Sequence, residues 1–505
     1  MDYSALLAAG EHALSLWPLL SLLAGVTLGL VVGSIPGLND TITLAVLVPI
    51  TFAMPSDVAF PLLVGVYCAA CFGGAFPAIL LKIPGTASSV LTAVDGHAMV
   101  KQGLAGRALG IATYSSCFAG TLSALVLVFF APLLAQYALK FGPAEYFSLC
   151  VLGLSTVVGM GSGNVMKCAF SCLLGLLVAM VGLSPESGYP RFTFDNFWLL
   201  EGLPLTPILI GLFGLSVVIE MLCRDAGATA EAEVEHRTPI RFRDMLLPWS
   251  LVRRLMPTWL SASALGNVIG ILPGAGMLVA IYMAYERVRR RFGERCGQGL
   301  PEGIAAPEAA NNSVVASSMV PLLSLGIPGN STSALFLGAL LIQGLRPGPS
   351  LFNDSPDVAW LIVICFVFAN LVMFPLGLLL ARFVPNLIRA IPQPLLAAAI
   401  AGLCFTGAFA IGNSVFGIVV ALVFGVVGFV FNRMQVPLSP FILALVLAPV
   451  VERAFFQSMA LSGGSPLYFV TQPLSAAMLT FTALFLLWPL FKRHFFKSRR
   501  SLAAD

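Results

Sequence analysis

Long apolar stretches without charged residues recur along the whole chain, separated by short polar segments. About 20 such residues are enough to cross the hydrocarbon core of a bilayer as one helix. Ten stretches of this kind are predicted membrane helices: 14–33, 58–80, 108–136, 146–166, 168–184, 202–219, 358–381, 394–411, 414–431 and 473–491. The pattern predicts an all-α polytopic membrane protein with about 10–14 membrane segments.

Shorter apolar pieces of about 11–17 residues are too short to cross the membrane alone as helices. They lie at 41–54, 84–94, 257–271, 275–285, 313–326, 332–343 and 436–450, and several are bounded by Pro-Gly. Non-helical backbone at membrane depth is stable only where it is buried in protein or lines a water-filled cavity. We therefore interpret these pieces as half-helices or re-entrant hairpins along a transport path, with ordinary kinked helices as the alternative.

Composition excludes several classes of protein. Only 10% of the 505 residues are charged and 58% are hydrophobic, whereas soluble domains carry about 25% charged residues. A secreted disulfide scaffold, a disordered chain and a nucleic-acid-binding protein are therefore excluded. The ten cysteines lie mostly in apolar stretches, so we expect them to pack as small hydrophobic residues, including the pair Cys68 and Cys71.

Basic residues indicate which segments face the cytoplasm. Eleven arginines lie from Arg224 to Arg295, and five basic residues lie in the C-terminal tail. The positive-inside rule assigns such regions to the cytoplasm. We therefore predict four regions: a first transmembrane repeat (1–223), a cytoplasmic polar linker (224–256), a second transmembrane repeat (257–491) and a basic cytoplasmic tail (492–505).

The two halves share three ordered sequence matches. Gly29-x-x-x-Gly33 followed by Pro36-Gly37 corresponds to Gly266-x-x-x-Gly270 followed by Pro273-Gly274, at an offset of 237. Ile83-Pro84-Gly85 corresponds to Ile327-Pro328-Gly329 at an offset of 244, and Gln102-Gly103-Leu104 corresponds to Gln343-Gly344-Leu345. We predict two inverted repeats with broken helices, which in transporters bind substrate near the bilayer midplane.

Small polar residues follow the second Pro-Gly break of each repeat. The candidate substrate-binding residues are Pro84, Gly85, Thr86, Ser88 and Ser89 in the first repeat and Pro328, Gly329, Asn330, Ser331 and Thr332 in the second. They would open half-helices whose free N–H groups favour an anion, which predicts a site for a carboxylate-bearing solute. The alternative is that they only cap helices. Lys82 either adds positive potential to this site or extends to the membrane interface.

Ionisable residues at membrane depth indicate a second kind of site. Asp40, beside Asn39, is a candidate cation or proton site, with a helix N-cap as the alternative. The asparagines of the second half offer oxygen ligands of the kind that Na⁺ prefers. The full cation or proton set is Gly37, Asn39, Asp40, Gly274, Glu308, Asn311 and Asn312. We expect Asp95 to cap the helix that follows it, and no cofactor beyond Na⁺ or H⁺ as coupling ion.

Several longer motifs resemble a known family. They are Gly33-Ser34-Ile35-Pro36-Gly37-Leu38, Ile83-Pro84-Gly85-Thr86, Gly303-Ile304-Ala305-Ala306-Pro307-Glu308-Ala309-Ala310-Asn311-Asn312 and Gly344-Leu345-Arg346-Pro347-Gly348-Pro349. From about residue 25 to 460 the chain resembles the large membrane subunit of the tripartite tricarboxylate transporters. Three positions depart from the family's usual residues: Asn39-Asp40, Lys82 and Ala75.

The resemblance implies a multi-pass permease of the bacterial inner membrane. It implies two partners, a periplasmic solute-binding protein and a small four-helix membrane subunit, and symport of tricarboxylates or related organic carboxylates with Na⁺ or H⁺. The alternative is a stand-alone organic-anion transporter or exporter that needs no binding protein. An intramembrane enzyme would need a motif such as His-Glu-x-x-His, which the sequence does not contain, so we predict no enzymatic activity.

Overall fold

The computed structural model describes residues 3–35, 37–83, 85–160, 165–184, 186–223, 241–274, 276–383, 393–410 and 412–486. Among these, seven helical segments are long and apolar enough to cross a membrane: Leu16–Gly33, Ser56–Leu81, Ala105–Ala138, Leu205–Cys223, Pro356–Leu380, Val415–Arg433 and Leu438–Leu461. The all-α polytopic fold is confirmed. Pro84, part of the linker (224–240) and the basic tail lie outside the described residues.

The helices of the first half are α1 (Tyr3–Ala13), α2 (Leu16–Gly33), α3 (Asp40–Thr51), α4 (Ser56–Gly73), α5 (Ala75–Leu81), α6 (Val90–Lys101), α7 (Ala105–Ala138), α8 (Pro143–Met160), α9 (Val165–Ala179), α10 (Leu205–Leu209) and α11 (Ser216–Cys223). A 3₁₀ turn (Ala87–Ser89) precedes α6, and a π-helix (Ile210–Leu215) joins α10 to α11. Two short strands, β1 (Gly182–Leu183) and β2 (Pro190–Arg191), pair antiparallel.

The helices of the second half are α12 (Phe242–Met245), α13 (Trp249–Ile271), α14 (Gly276–Phe292), α15 (Pro301–Ser317), α16 (Met319–Leu325), α17 (Ser331–Ile342), α18 (Leu351–Asp354), α19 (Pro356–Leu380), α20 (Gln393–Ala410), α21 (Val415–Arg433), α22 (Leu438–Leu461), α23 (Tyr468–Thr471) and α24 (Pro473–Leu486). The chain divides into two compact units. The first comprises Met1–Ala138, Pro204–Leu272 and Gly276–Arg433, and the second comprises Leu139–Leu203, Pro273–Ala275 and Met434–Asp505.

Glycines place the same helix pair in close contact in both repeats of the first unit. A β-carbon on Gly29 of α2 would lie 2.8 Å from the carbonyl oxygen of Val66 in α4. A β-carbon on Gly266 of α13 would lie 2.7 Å from the carbonyl oxygen of Ala310 in α15. Small residues at helix interfaces allow such backbone approach in membranes. The repeated Gly-x-x-x-Gly sequence therefore produces a repeated helix–helix contact.

The backbone before the Ile-Pro-Gly break has the same conformation in both repeats. The residue that follows α5 is Lys82, with φ 57°, and the residue that follows α16 is Gly326, with φ 73°. The next amide donates backward in each case: Ile83 N to the Pro77 carbonyl at 3.4 Å, and Ile327 N to the Pro321 carbonyl at 3.2 Å. This left-handed residue ends the short helix and turns the chain into the Pro-Gly loop.

Corresponding helices of the two repeats run in opposite directions. In α7 and α19, the Tyr114 ring packs on Phe374 with centroids 4.8 Å apart, while Gly120, six residues later, meets Asn370. Residue numbers thus rise along α7 as they fall along α19. The same order is found for α4 and α15: Asn311 contacts Cys71, whereas Ser318, just after α15, contacts the earlier residue Tyr67. Such an arrangement is what inverted repeats require.

In each repeat, one glutamine side chain donates hydrogen bonds to backbone carbonyls of the other repeat. Gln102, just after α6, donates from Nε2 to the Gln298 carbonyl at 2.8 Å. Gln343, just after α17, donates from Nε2 to the carbonyls of Thr51 at 2.7 Å and Met54 at 3.1 Å. Met54 and Gln298 occupy corresponding places in the two repeats, 244 residues apart. We call these two contacts the glutamine clasps.

In the second unit, α22 packs against α8 and α9. The prediction of only a short apolar piece at 436–450 is wrong, because α22 continues to Leu461. One of its two charged residues, Glu452, is neutralised by a two-bond ion pair with Arg191, at 2.7 and 3.1 Å. The Pro273-Gly274 break also belongs to this unit, where Thr156 Oγ1 donates to the Pro273 carbonyl at 2.5 Å.

Three further expectations for the first unit need correction. The piece 257–271 is the end of a longer helix, α13. The piece 313–326 comprises only the last turn of α15 together with α16, although α15 is almost entirely buried from residue 302 onward. Glu302 in α15 pairs with Arg254 at 2.8 Å. Asp95 lies inside α6 rather than capping a following helix; its carboxylate accepts backbone N–H groups of residues 297, 299 and 300 at 2.8–3.1 Å.

Candidate functional site

The loop after the first Ile-Pro-Gly is an ordered helix start. Thr86 N donates to Ser89 Oγ at 3.3 Å, and Ser89 Oγ donates to the Thr86 carbonyl at 2.9 Å. Thr86 Oγ1 and Ser88 Oγ share a hydrogen bond of 2.8 Å. A β-carbon on Gly85 would lie 2.9 Å from both the Gly33 carbonyl oxygen and Gly74 Cα, so only glycine fits there.

The loop after the second Ile-Pro-Gly repeats this cap with an asparagine. Ser333 N donates to Asn330 Oδ1 at 2.8 Å, and Asn330 N donates to Ser333 Oγ at 2.8 Å. Pro328 and Gly329 are buried, and Ser331 is half-buried. Both loops therefore form the N-terminal turn of a helix, the backbone arrangement that favours an anion.

Tyr67 of α4 connects the second loop to α15. Asn330 Nδ2 donates to the Tyr67 hydroxyl at 2.9 Å, and that hydroxyl lies 3.0 Å from Ser318 Oγ. Tyr67 is completely buried. Because a buried phenol keeps its hydroxyl paired, this contact fixes the Asn330 side chain next to α4.

Asp40 lies against the second loop. Thr332 Oγ1 donates to Asp40 Oδ2 at 2.6 Å and lies 2.7 Å from Thr41 Oγ1. The Cys71 side chain also lies close to the Asp40 carboxylate. We call Asp40, Thr41, Cys71 and Thr332 the Asp40 cluster. The N-cap of α3 is Asn39, whose Oδ1 accepts from Ile42 N at 2.8 Å, so Asp40 is not the cap.

Glu308 of α15 is the centre of a second polar group. Its two carboxylate oxygens accept hydrogen bonds from Thr92 Oγ1 at 2.6 Å and Ser116 Oγ at 2.8 Å. Asn312, one turn later, donates from Nδ2 to the Glu308 backbone carbonyl at 3.5 Å. We call Glu308, Asn312, Thr92 and Ser116 the Glu308 cluster.

Asn311 connects the two clusters. Its Nδ2 donates to the backbone carbonyl of Cys71 at 3.1 Å, and Cys71 belongs to the Asp40 cluster. The Oδ1 atoms of both Asn311 and Asn312 are buried and accept no hydrogen bond from the described part of the chain. The second half therefore presents two buried amide oxygens without partners.

Neither buried carboxylate has a basic partner. The four ion pairs between described residues involve Asp57, Glu452, Glu302 and Glu286. Asp40 is 6% exposed and Glu308 is 0% exposed. Burying an unpaired charge is costly, and buried carboxylates in proteins are neutralised by protons, by basic groups or by bound cations. The arrangement is therefore suited to taking up protons or cations.

The sequence match agrees with this architecture. A family model described as the tripartite tricarboxylate transporter TctA family matches residues 19–443. The chain belongs to this family. It is therefore a multi-pass membrane component of a transport system. Both clusters lie within the matched residues.

Two relatives from Agrobacterium vitis are similar to this chain. One, an uncharacterized 52.8 kDa protein in the TAR-I ttuC′ 3′ region, is 36% identical over 95% of this chain and 94% of its own length. The other, an uncharacterized protein in the TAR-II ttuC′ 3′ region, is 35% identical over 42% of this chain and 89% of its own length. No solved structure matches the chain.

The remaining predicted residues of this TctA-family chain lie apart from the clusters. Lys82 is exposed after the end of α5, and its side chain forms no hydrogen bond or ion pair with any described residue of the capped loops. Gly37 and Gly274 adopt positive φ, 94° and 78°, which fits their place in Pro-Gly breaks. Gly274 belongs to the second unit, whereas Gly37 belongs to the first.

Sequence reasoning missed four side chains that build the site. Thr41, Tyr67, Thr92 and Ser116 are single hydroxyl groups in apolar or mixed segments, where they look like ordinary packing residues. The available signal was proximity in sequence: Thr41 follows Asp40 directly, and Thr92 lies one turn after the first capped loop.

Proposed function

We propose that this chain is the permease subunit of a binding-protein-dependent secondary transporter that imports tricarboxylates or related organic carboxylates. An inward gradient of Na⁺ or H⁺ drives the import. The observation that carries this proposal is the hydrogen bond between Thr332, in a capped Pro-Gly loop, and the buried Asp40 carboxylate. It brings a candidate anion site and a candidate cation site into direct contact.

Electrostatics supports coupling at this contact. Two unit charges 4 Å apart interact by about 4 kcal/mol at the effective dielectric constant of a protein surface. A carboxylate solute held at the N-terminus of α17 would therefore be repelled by an ionised Asp40. Binding of a proton or cation at Asp40 removes that repulsion. Solute and ion then bind more favourably together than separately, which is the requirement for symport.

The family description supports the proposed partners, because a tripartite system has two further components. We assign these to a periplasmic solute-binding protein and a small four-helix membrane subunit, and the whole assembly to the bacterial inner membrane. Glu308, Asn311 and Asn312 extend the cation-binding region beyond Asp40, and Gly37 and Asn39 shape the start of α3.

Reconstitution tests this proposal. The full chain and the small subunit are incorporated into proteoliposomes, and uptake of radiolabelled di- and tricarboxylates is measured with and without the binding protein, under a Na⁺ or a pH gradient. We expect uptake that requires both the binding protein and one gradient. Equal uptake without the binding protein would instead favour the stand-alone transporter.

A further inference from the structure

We propose that a cleft between α13 and α14 binds an anionic phospholipid from the cytoplasmic leaflet of the membrane. The cleft has a volume of about 180 Å³, and residues near the start of α13, such as Thr258, line it together with residues near the end of α14, such as Arg291. Arginines are concentrated at this end of the helix pair, which the positive-inside rule assigns to the cytoplasm. The proposal does not depend on the proposed function.

The first argument is positive charge without an acidic partner. Helix α14 contains four arginines and one glutamate, and that glutamate, Glu286, pairs with Arg290 at 3.2 Å. Arg287 and Arg291 line the cleft and form no ion pair with any described residue. They lie one helical turn apart, so their guanidinium groups share one face of α14. Such a pair is suited to a phosphate group, which arginine binds through parallel N–H bonds.

The second argument is the apolar surface beside these arginines. Much of the cleft is lined by small and aliphatic side chains, which are Ala262, Leu265, Ala284, Val288 and Ala306. A second cleft shares Leu265 and Arg287 with the first and continues over Leu91, Tyr282 and Met283. Tyr282 and Met283 are 54% and 50% exposed. An acyl chain would cover this surface, whereas a soluble anion would leave it uncovered.

The third argument is the order of these groups along α14. Met283 precedes Arg287 by one turn, about 6 Å along the helix axis, and Arg291 follows one turn later. A lipid presents its acyl chains and then its phosphate in the same order, from the membrane interior toward the cytoplasm. Basic pockets between membrane helices on the cytoplasmic side bind anionic headgroups in this way.

The fourth argument concerns the kind of headgroup. The described residues that line the first cleft include no acidic side chain, and Glu286 in the second cleft already pairs with Arg290. The amine of a zwitterionic lipid would therefore find no partner. Ser261 Oγ donates to the Thr258 carbonyl at 3.2 Å, which leaves its oxygen free to accept from a glycerol hydroxyl. Phosphatidylglycerol supplies both the phosphate and that hydroxyl.

Lipid binding to the purified, delipidated full-length chain tests the proposal without any transport assay. Native mass spectrometry across a lipid titration gives the number of bound molecules and their dissociation constants. We expect saturable binding of phosphatidylglycerol and much weaker binding of phosphatidylcholine. Glycerol 3-phosphate, which has the phosphate but no acyl chain, should neither bind nor displace the lipid.

Two variants locate the site. Arg287→Gln combined with Arg291→Gln should raise the dissociation constant for phosphatidylglycerol about thirtyfold, because one basic residue near the membrane surface contributes about fivefold. The matched control is Arg253→Gln combined with Arg295→Gln, which removes the same charge from exposed positions that line neither cleft. Ser261→Phe fills the cleft without changing charge and should also weaken binding.

Several outcomes would overturn the proposal. Equal loss of affinity in the cleft and control double variants would show that overall positive charge attracts the lipid. Equal binding of phosphatidylcholine would remove the role of the two arginines, and binding of glycerol 3-phosphate as tight as that of the lipid would indicate a soluble anion. Should the cleft double variant fold poorly, Ser261→Phe decides the question, because unchanged affinity in that variant would exclude the cleft.

Discussion

At the scale of single residues, side chains of the capped loops stabilise the fold and are also proposed to bind an anion. Alanine substitutions alone cannot separate these two roles. Asn330 is both the N-cap of α17 and a partner of Tyr67. Thr332 is both a residue of the first helical turn and a donor to Asp40. A cap stabilises the protein whether or not solute is present, whereas a ligand for an anion matters only for uptake. Experiments on these residues therefore need a stability measurement beside the transport measurement.

The first prediction concerns the loop residues. Alanine at Thr86, Ser88, Asn330 or Thr332 should weaken solute uptake about tenfold to hundredfold, since a hydrogen bond to a charged group contributes about 1.5–3 kcal/mol. Membrane abundance should stay near that of the wild type. Asn330→Asp separates the two roles: aspartate is an equally good cap, but its charge would repel a carboxylate. Normal uptake by Asn330→Asp would show that Asn330 is only a cap.

The second prediction concerns Asp40. We propose that a cation or proton neutralises the Asp40 carboxylate; Asp40→Asn removes that charge, so the dependence of uptake on Na⁺ or pH should change. Initial rates across a series of Na⁺ concentrations and pH values measure this change. Asp57→Asn is the control, because Asp57 is 41% exposed and pairs only loosely with His12 at 3.7 Å. Wild-type ion dependence in Asp40→Asn would assign Asp40 a structural role.

At the scale of helices, hydropathy predicted most membrane segments because apolar length alone identifies them. It failed where a charge is neutralised by a residue distant in sequence. The apolar piece ending at 450 was cut at Glu452, whose partner Arg191 lies 261 residues away. Most of helix α15 was missed because Glu302 and the buried asparagines look polar in isolation. Pairing of this kind depends on the tertiary fold and leaves no local pattern.

The third prediction tests the repeated helix contact. A β-carbon on Gly33 of α2 would lie 2.5 Å from the Ala70 carbonyl oxygen, so Gly33→Ala must push α2 away from α4. Overpacking of this kind costs about 1–3 kcal/mol, and the melting temperature of the purified protein should fall. Gly402→Ala in α20 is the control, because nothing lies within 4 Å of the added carbon. An equal effect of both substitutions would argue against close packing as the role of Gly33.

At the scale of the whole molecule, the antiparallel order of corresponding helices bears on access to the two loops. If α4 and α15 cross the bilayer in opposite directions, the two Ile-Pro-Gly loops come from opposite faces. Sequence alone revealed the repeat but gave no direct evidence of its orientation, because direction depends on which residues meet. Tyr67 with Ser318, and Cys71 with Asn311, supply that information.

The fourth prediction follows from this orientation. Single cysteines at Ser88 and Thr332, in a background without the ten native cysteines, should react with membrane-impermeant thiol reagents with opposite preference for the two faces. Solute should protect both positions, because in the proposed function both loops contact it. The control is Leu461→Cys, an exposed position whose labelling solute should not alter. Labelling of both loop positions from the same face would contradict the inverted arrangement.

The glutamine clasps have a consequence for how long the protein dwells in each conformation. A single neutral hydrogen bond contributes about 0.5–1.5 kcal/mol, so thermal motion breaks either clasp readily. The two ends differ, however, because the segments joined by Gln102 are also joined by Asp95, whose carboxylate accepts three backbone N–H groups of residues 297, 299 and 300, whereas Gln343 has two carbonyl partners. The end of the molecule held by Gln102 and Asp95 should therefore stay closed for longer, and the resting population should be unequal between the two faces. A difference of one such bond corresponds to a ratio of about fivefold. An apparently minor difference in side-chain bonding would then set which face of the membrane the empty transporter usually serves.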